Sequence, residues 1–283
     1  MACSVLASSP LATAQLGILR AVLASALQTA YYKPYFQRMG ITCPSDIHAI
    51  GDVQQVLEQL PSSETSDILK DFDALRNPAG RRPEPRPLCY PLETPPRIAV
   101  LFPGFQESRH VRVFVHNWSK GLRRYHPNAV AGPVGVLRTL ALAIRDGRIE
   151  APPLTHAVVA FTGMEHGLLR QADRDLFWEI FQVPLFEQLR GLGGELLAIE
   201  CEAHEGLHIC GQEGLVEFQP AVTGSEIIYT SLVQLEYPLL RLATGLAAEL
   251  HQTPCACGAA SPRITYLHRL PRRQQRAMAA AAD

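Results

Sequence analysis

The sequence predicts an α/β fold with a mixed or parallel sheet and flanking helices. Three observations lead there. Arg97–Phe102 and Ala157–Phe161 are short apolar runs of the kind that buried strands make, and they end at turn-forming Pro103-Gly104 and Thr162-Gly163. Val134–Ile144 and Gln171–Phe181 carry apolar residues at helical spacing, the latter with Leu176, Phe177 and Ile180 on one face. From about residue 113 the two kinds of segment alternate, which argues for a largely parallel sheet. With 283 residues, 47% of them hydrophobic, the chain can bury a sizeable core in one large domain or two ordinary ones.

Taken in order, residues 11–40 read as helix, because Leu16, Leu19, Leu23, Leu27 and Ala30 recur at three- and four-residue steps. Pro34 breaks or redirects that segment, and Gly40 suits the reversal after it. A second, short helix is expected behind Ser45 or Asp46, whose side-chain oxygens can cap it. A third covers Val53–Leu60, and Pro61-Ser62-Ser63 marks a turn. Residues 77–97 hold seven prolines and four arginines, a density that precludes helix and interior strand. Leu196–Ile199 and Ile227–Ser231 complete the expected strands. The chain therefore divides into an N-terminal helical segment packing on the core (1–76), a proline-rich linker or arm (77–97), an α/β core (98–268) and a tail expected to be disordered (269–283).

Composition excludes several classes. Formal net charge is −1, from 26 basic and 27 acidic side chains, so nothing favours nucleic acid as a partner. Leu16–Ala30 is the longest apolar stretch near the start, but Gly17, Arg20, Ser25, Gln28 and Thr29 interrupt it. A membrane span needs about 20 apolar residues, so this segment is expected to be a buried helix. Met1–Gln15 lacks Lys and Arg, and export is not expected. Seven unevenly spaced cysteines then point to metal or free thiols, and to the cytoplasm.

Several segments recur in the order of a known family. Tyr31-Tyr32-Lys33-Pro34-Tyr35-Phe36 leads to Gly40-Ile41, then Asp46-Ile47 and Asp52 through Leu60-Pro61. His126-Pro127-Asn128 leads to Gly132-Pro133 and Leu137, followed by Phe161-Thr162-Gly163-Met164-Glu165. Later come Glu200-Cys201, Gly206-Leu207-His208-Ile209, Tyr229-Thr230-Ser231-Leu232, Tyr237-Pro238-Leu239-Leu240-Arg241 and Cys255-Ala256-Cys257-Gly258. In this order they resemble the phenylacetate–CoA ligase-like branch of the AMP-forming acyl-CoA ligases. The likeness is nearly continuous over 113–265 and looser over 15–75. It implies a shortened adenylate-forming ligase N-terminal domain with a zinc-clamped loop region.

Cys201 and His208 have six residues between them, and Cys255 and Cys257 have one. Three thiolates and one imidazole are a standard tetrahedral zinc set. Gly206 and Gly258 permit sharp turns beside them, and His204 and Cys210 are the nearest competitors for a ligand place. Both pairs fall where the resemblance implies a metal site. A closed four-ligand site leaves no position for water, so its expected role is to clamp loops.

The catalytic motifs that the resemblance implies are replaced. Pro103-Gly104-Phe105-Gln106-Glu107-Ser108 stands near the place of a glycine-rich phosphate loop, with one glycine and a carboxylate. Glu187-Gln188-Leu189-Arg190-Gly191 stands where an adenine-contacting aromatic and a magnesium-holding acid belong, and Glu195 is four residues off register. Arg241-Leu242-Ala243-Thr244-Gly245-Leu246 carries leucine where an aspartate would accept the ribose hydroxyls. The family's terminal lid with its lysine has no counterpart in Arg269–Asp283. Glu165 and Arg241 remain as catalytic candidates, alongside plainer readings as a helix-start acid and an ion-pair residue. ATP and magnesium binding are therefore not expected. Two functions compete: a non-catalytic module that binds a partner protein or an acyl-type small molecule, and a minimal acyl- or aryl-acid adenylating or acyl-transferring enzyme working with a partner polypeptide. A homodimer is compatible with either.

Overall fold

The structure is a computed structural model that describes residues 5–6, 13–92, 97–115 and 118–271. The polyalanine part of the expected tail lies outside these residues. The order is β1 (Val5–Leu6), α1 (Thr13–Leu27), α2 (Lys33–Arg38), α3 (Pro44–Ala49), α4 (Val53–Gln59), β2 (Ser63–Glu64) and α5 (Thr65–Lys70). Then follow β3 (Ile98–Val100), β4 (Val111–Val113), α6 (Trp118–Tyr125), β5 (Ala129–Pro133), α7 (Val134–Arg145), β6 (Ala157–Gly163) and α8 (Gln171–Phe181). The rest is strand: β7 (Leu185–Arg190), β8 (Leu196–Glu200), β9 (Leu207–Ile209), β10 (Gly214–Pro220), β11 (Ser225–Ser231), β12 (Leu242–His251) and β13 (Arg263–Arg269).

The helical stretch expected over 11–40 is two helices. Thr29 Oγ1 donates to the carbonyl of Ala26 at 2.7 Å and accepts from the Tyr32 N–H at 3.2 Å, which ends the first. Pro34 then stands in the opening turn of α2, where its missing N–H leaves no bond unmade. The next helix starts at Pro44, and Asp46 caps it from within the first turn, accepting from the Thr42 and Cys43 N–H groups at 2.8 and 3.0 Å. Asp52 caps α4 through Gln54 N–H at 3.1 Å.

All strands join one sheet, in the order β1-β10-β11-β12-β13-β9-β8-β7-β6-β5-β3-β4, with β2 paired to β12. Only β4, β3, β5, β6 and β7 run parallel; from β8 onward the main ladder is antiparallel, while the β2–β12 pairing is parallel. Connection length is the physical reason. Short loops join β7 to β8 and β10 to β11, and a parallel crossover needs about a dozen residues.

Alternation along the parallel strands sorts two cores. Ala99, Leu101, Val130, Val158 and Ala160 face Leu137, Leu140 and Phe177 of α7 and α8. Ile98, Val100, Ala131, Val159 and Phe161 face the opposite way, toward Phe105, Leu88 and Tyr90. The proline-rich stretch is therefore an arm laid over the second face. Its Arg86 N–H donates to the carbonyl of Gly104 at 3.0 Å, and the Cys89 carbonyl accepts from Gln188 Nε2 at 2.6 Å. Gly80 fits under the Leu235–Glu236 backbone, where a Cβ would stand 2.1 Å from the Leu235 carbonyl oxygen.

The antiparallel half curls until β10 lies against β8, so close that a Cβ on Gly214 would stand 2.8 Å from Leu197 Cδ2. The N-terminal helices bury Leu19, Leu23, Phe36, Ile47 and Leu57 in one core with Leu197, Leu215, Ile227 and Leu246. No helix among the described residues is long and apolar enough to cross a membrane.

Candidate functional site

Antiparallel pairing of β9 with β13 sets His208 opposite Arg263. Cys201 follows the last residue of β8, and Cys255 and Cys257 occupy the turn between β12 and β13. Two glycines with positive φ, Gly206 at 118° and Gly258 at 83°, make the bends that turn the two loops toward each other. The Gly258 N–H closes the second turn onto the Cys255 carbonyl at 2.9 Å.

The four ligand atoms of Cys201, His208, Cys255 and Cys257 lie within 4.8 Å of one another. Cys201 Sγ is 3.7 Å from Cys255 Sγ, and Cys257 Sγ is 3.4 Å from His208 Nε2. A tetrahedral zinc with sulfur at about 2.3 Å and nitrogen at about 2.0 Å requires edges of about 3.8 and 3.5 Å. His208 Nδ1 faces Ser261 Oγ at 2.9 Å and the Ser261 carbonyl at 3.2 Å. Donation to that carbonyl puts the proton on Nδ1 and leaves the Nε2 lone pair for a metal.

The loop's surroundings act on its thiols in opposite directions. The Cys257 backbone N–H, then His208, pull the Cys255 thiol down to about 6, while burial lifts the Cys201 thiol to about 11. Arg263 supplies a cation beside the loop and holds Glu205 at 2.5 Å, and Glu205 also accepts from the Ala256 N–H at 3.3 Å. The cluster can thus hold one soft divalent ion. Neither alternative ligand joins it: His204 Nδ1 pairs with Glu200 at 3.0 Å, and the Cys210 thiol sits against the His208 carbonyl.

A cleft of about 290 Å³ opens at the carboxyl ends of β6 and β7, the usual place for a ligand in an open α/β sheet. Glu165 lines it, exposed, with its carboxyl raised by partial burial. Arg241 does not. It is buried against Glu217, with Nη2 to Oε2 at 3.0 Å, and donates to the carbonyls of Glu58 and Leu60 at 2.9 and 2.5 Å. That geometry ties β10 to the end of α4.

Thr244 and Gly245 also line the cleft, but Leu246 turns into the core at 1% exposure. Glu187, Gln188 and Arg190 are buried on β7, and Glu195 is buried accepting from Ser231 Oγ at 2.7 Å. Arg190 lies over the rings of Phe105 and Phe161, with Cζ to centroid distances of 4.8 and 4.5 Å. Glu107 closes its loop by accepting from the Val113 N–H at 2.9 Å.

Sequence reading missed Glu64 and Glu226, which share the cleft with Glu165. Glu64 reaches it because β2 pairs with β12, placing Glu64 opposite Ala243, and Glu226 lies on the neighbouring β11. The acidic interruption of the apolar Ser225–Ser231 run was the available signal for Glu226. For Glu64, nothing in a two-residue strand announces its pairing. The Arg263–Glu205 pair was equally silent, being 58 positions apart.

No protein-family profile matches the chain, and no curated protein matches it. Solved structures do. A 2-hydroxyisobutyryl-CoA ligase in an open conformation, with 2-HIB-AMP and CoA, superimposes at a TM-score of 0.62 and 14% identity, covering 89% of this chain and 67% of that one. In its thioesterification state the values are 0.64 and 14%, covering 92% and 68%. In its postadenylation state, with R3-HIB-AMP, they are 0.63 and 14%, covering 89% and 65%. The fold is that of an AMP-forming acyl-CoA ligase, over about two thirds of such a chain.

Proposed function

We propose that this chain is a ligase-like module of the phenylacetate–CoA ligase-like branch whose strand-end cleft binds a small ligand without adenylating it, and whose Cys3His cluster holds a structural zinc. The cleft's charge carries the first half. Glu64, Glu165 and Glu226 line it, and the one cation there among the described residues, Arg269, donates to the Met164 carbonyl at 3.1 Å. A triphosphate entering this space meets three carboxylates, and each unit pair at 4 Å is worth about 4 kcal/mol of repulsion near a protein surface. Adenylation also needs donors that neutralise charge at the α-phosphate. Leu246 and the pinned Arg190 offer none in the positions the resemblance assigns to them.

The zinc half rests on a closed donor set that leaves no coordination place for substrate. The metal would tie the end of β8 to the β12–β13 turn. We place the protein in the cytoplasm, where thiols stay reduced and available to metal.

The test is calorimetric titration with ATP and magnesium, paired with a pyrophosphate-exchange assay over aromatic and fatty acids. Silence in both is expected. A second reading, a minimal adenylating enzyme completed by a partner polypeptide, draws on Glu165 standing open at the end of β6. Substrate-dependent exchange that Glu165→Ala abolishes would put that enzyme in place of the module.

A further inference from the structure

Glu226 is 4% exposed, yet its single hydrogen bond is from the Gly245 N–H at 3.0 Å, and among the described residues no cation pairs with it. Glu64 faces the same cleft. Its second oxygen accepts from Ser66 Oγ, while Oε1 is buried with no donor among the described residues. A buried carboxylate without a counter-charge costs several kcal/mol, and an orphaned buried acceptor calls for a partner. Elsewhere among the described residues several buried acids have a cation beside them. Glu217 has Arg241, Glu236 has Arg76 and Arg82, and Asp173 has Arg138. The cleft acids have no such cation; buried Glu195 also lacks one, but both of its oxygens accept hydrogen bonds, from Ser231 Oγ and the Gly193 N–H.

We propose that the strand-end cleft binds a small organic amine, whose ammonium sits between Glu64 and Glu226. This deepens the reading of the cleft as a ligand site that does not take ATP, and rests on it. An ammonium offers three N–H donors and one positive charge, which answers both the orphaned oxygen and the uncompensated carboxylate. The rest of the cleft suits an organic body. Leu69, Met164 and Leu192 form an apolar wall, and about 290 Å³ is room for a ligand of roughly a dozen non-hydrogen atoms.

A bare divalent ion fits less well. Calcium and magnesium take six or more oxygens at close range. Among the described residues only the Cys201, His208, Cys255 and Cys257 set brings three or more ligand atoms to metal distance. The three cleft glutamates are therefore spread too widely to chelate. Burial raises the Glu226 carboxyl from its ordinary value, and an ammonium beside it would lower it again.

The test uses phenethylamine against phenylacetate, a pair of similar size and opposite charge, titrated calorimetrically into the full chain. Saturable binding of phenethylamine is expected, with phenylacetate at least about tenfold weaker, a gap of about 1.4 kcal/mol. Repeating the titration in two buffers of different ionisation enthalpy reads any proton released. Glu64→Gln and Glu226→Gln should each weaken the amine about tenfold or more. Zinc content and Tm should stay unchanged, which separates lost binding from misfolding. If Glu226→Gln fails that check, Glu64→Gln carries the test alone. Phenylacetate binding as well as the amine, no amine binding at millimolar concentration, or competition by magnesium chloride alone would each overturn the proposal. Binding of ATP sinks the underlying non-adenylating reading whatever the amine does. Silence of both ATP and amine sinks only this inference.

Discussion

Replacing Cys257 by serine should release the metal and cost the loop its clamp. The size of the effect follows from chain connectivity. Cys201 and Cys255 lie 54 residues apart, and a metal joining them closes that loop in the unfolded chain as well as the folded one. Treated as a cross-link, such a closure is worth about 4 kcal/mol. Zinc can dissociate, so this is an upper value for the clamp. In a chain of this size each kcal/mol moves Tm by about 2–4 °C, which gives a drop of about 8–16 °C. The assay is elemental analysis with thermal unfolding, on wild type and on Cys257→Ser, each with and without EDTA. Wild type should contain about one zinc per chain and lose its extra stability in EDTA. The variant should be metal-poor and indifferent to EDTA. Metal-free wild type purified without chelator, or a variant whose Tm still falls in EDTA as far as the wild type's, would refute the clamp.

Three further outcomes follow from the geometry. Arg241→Met should destabilise the fold by about 3–5 kcal/mol, read in urea unfolding, because Glu217 keeps its buried charge while losing its partner; a loss under 1 kcal/mol would reopen Arg241 as a cleft residue. Burial raises the Glu187 carboxyl from 4.5 to about 7 despite the bonds from Thr162 and Arg174, so the folded state holds a proton that the unfolded state releases. Its contribution is fully present below pH 4.5 and is lost as pH rises through about 7, and Glu187→Gln should flatten the stability curve across that window; an unchanged slope there contradicts the assignment. Gly206→Ala would place a Cβ 2.6 Å from the Ile264 carbonyl oxygen at a φ of 118°, so it should lower both Tm and zinc content by shifting His208; full zinc occupancy would count against the coupling.

Legibility tracked locality. Helix α8 was readable to its last residue, since its period, its first-turn acid Asp173 and its apolar stripe all lie within one short stretch. The clustering of Cys201, His208, Cys255 and Cys257 was readable because thiols are rare and their chemistry narrow. Strands β7, β10, β12 and β13 were not. The buried positions of β7, β10 and β13 carry Glu187, Gln188, Arg190, Glu217 and Arg263, which break the apolar runs that mark a strand, and β12 is interrupted by Thr244 and Gly245. Several of those groups find partners far away in sequence, as Glu217 does in Arg241 and Arg263 in Glu205. Pairing energy of that kind has no local trace. The same reasoning explains why the sheet looked more parallel than it is: helix–strand alternation ends after α8, and nothing in the composition of the later strands reports their direction.

One hairpin carries both sites. Strand β12 leaves the cleft at Ala243–Gly245 and reaches the thiol turn after His251. Strand β13 returns from Arg263, beside the metal loop, to Arg269 at the rim of the cleft. At about 3.3 Å per residue the two ends are roughly 30 Å apart. Such a hairpin keeps its register only if something fixes it, because a one-residue slip would turn every buried side chain outward. Pairing to β9 and β11 fixes part of it, yet the β12–β13 ladder shifts between Ala247 and Glu249, and the β11–β12 ladder shifts between Glu226 and Ile228. The first falls between the cleft and the thiol turn, and the second falls in the cleft itself, across Ala243–Ala247. A metal held at the far turn would supply a further restraint on β13, whose other end presents Arg269. A zinc bound at that turn would hold the hairpin in register, and that register would hold Glu226, Thr244 and Gly245 where a ligand would meet them.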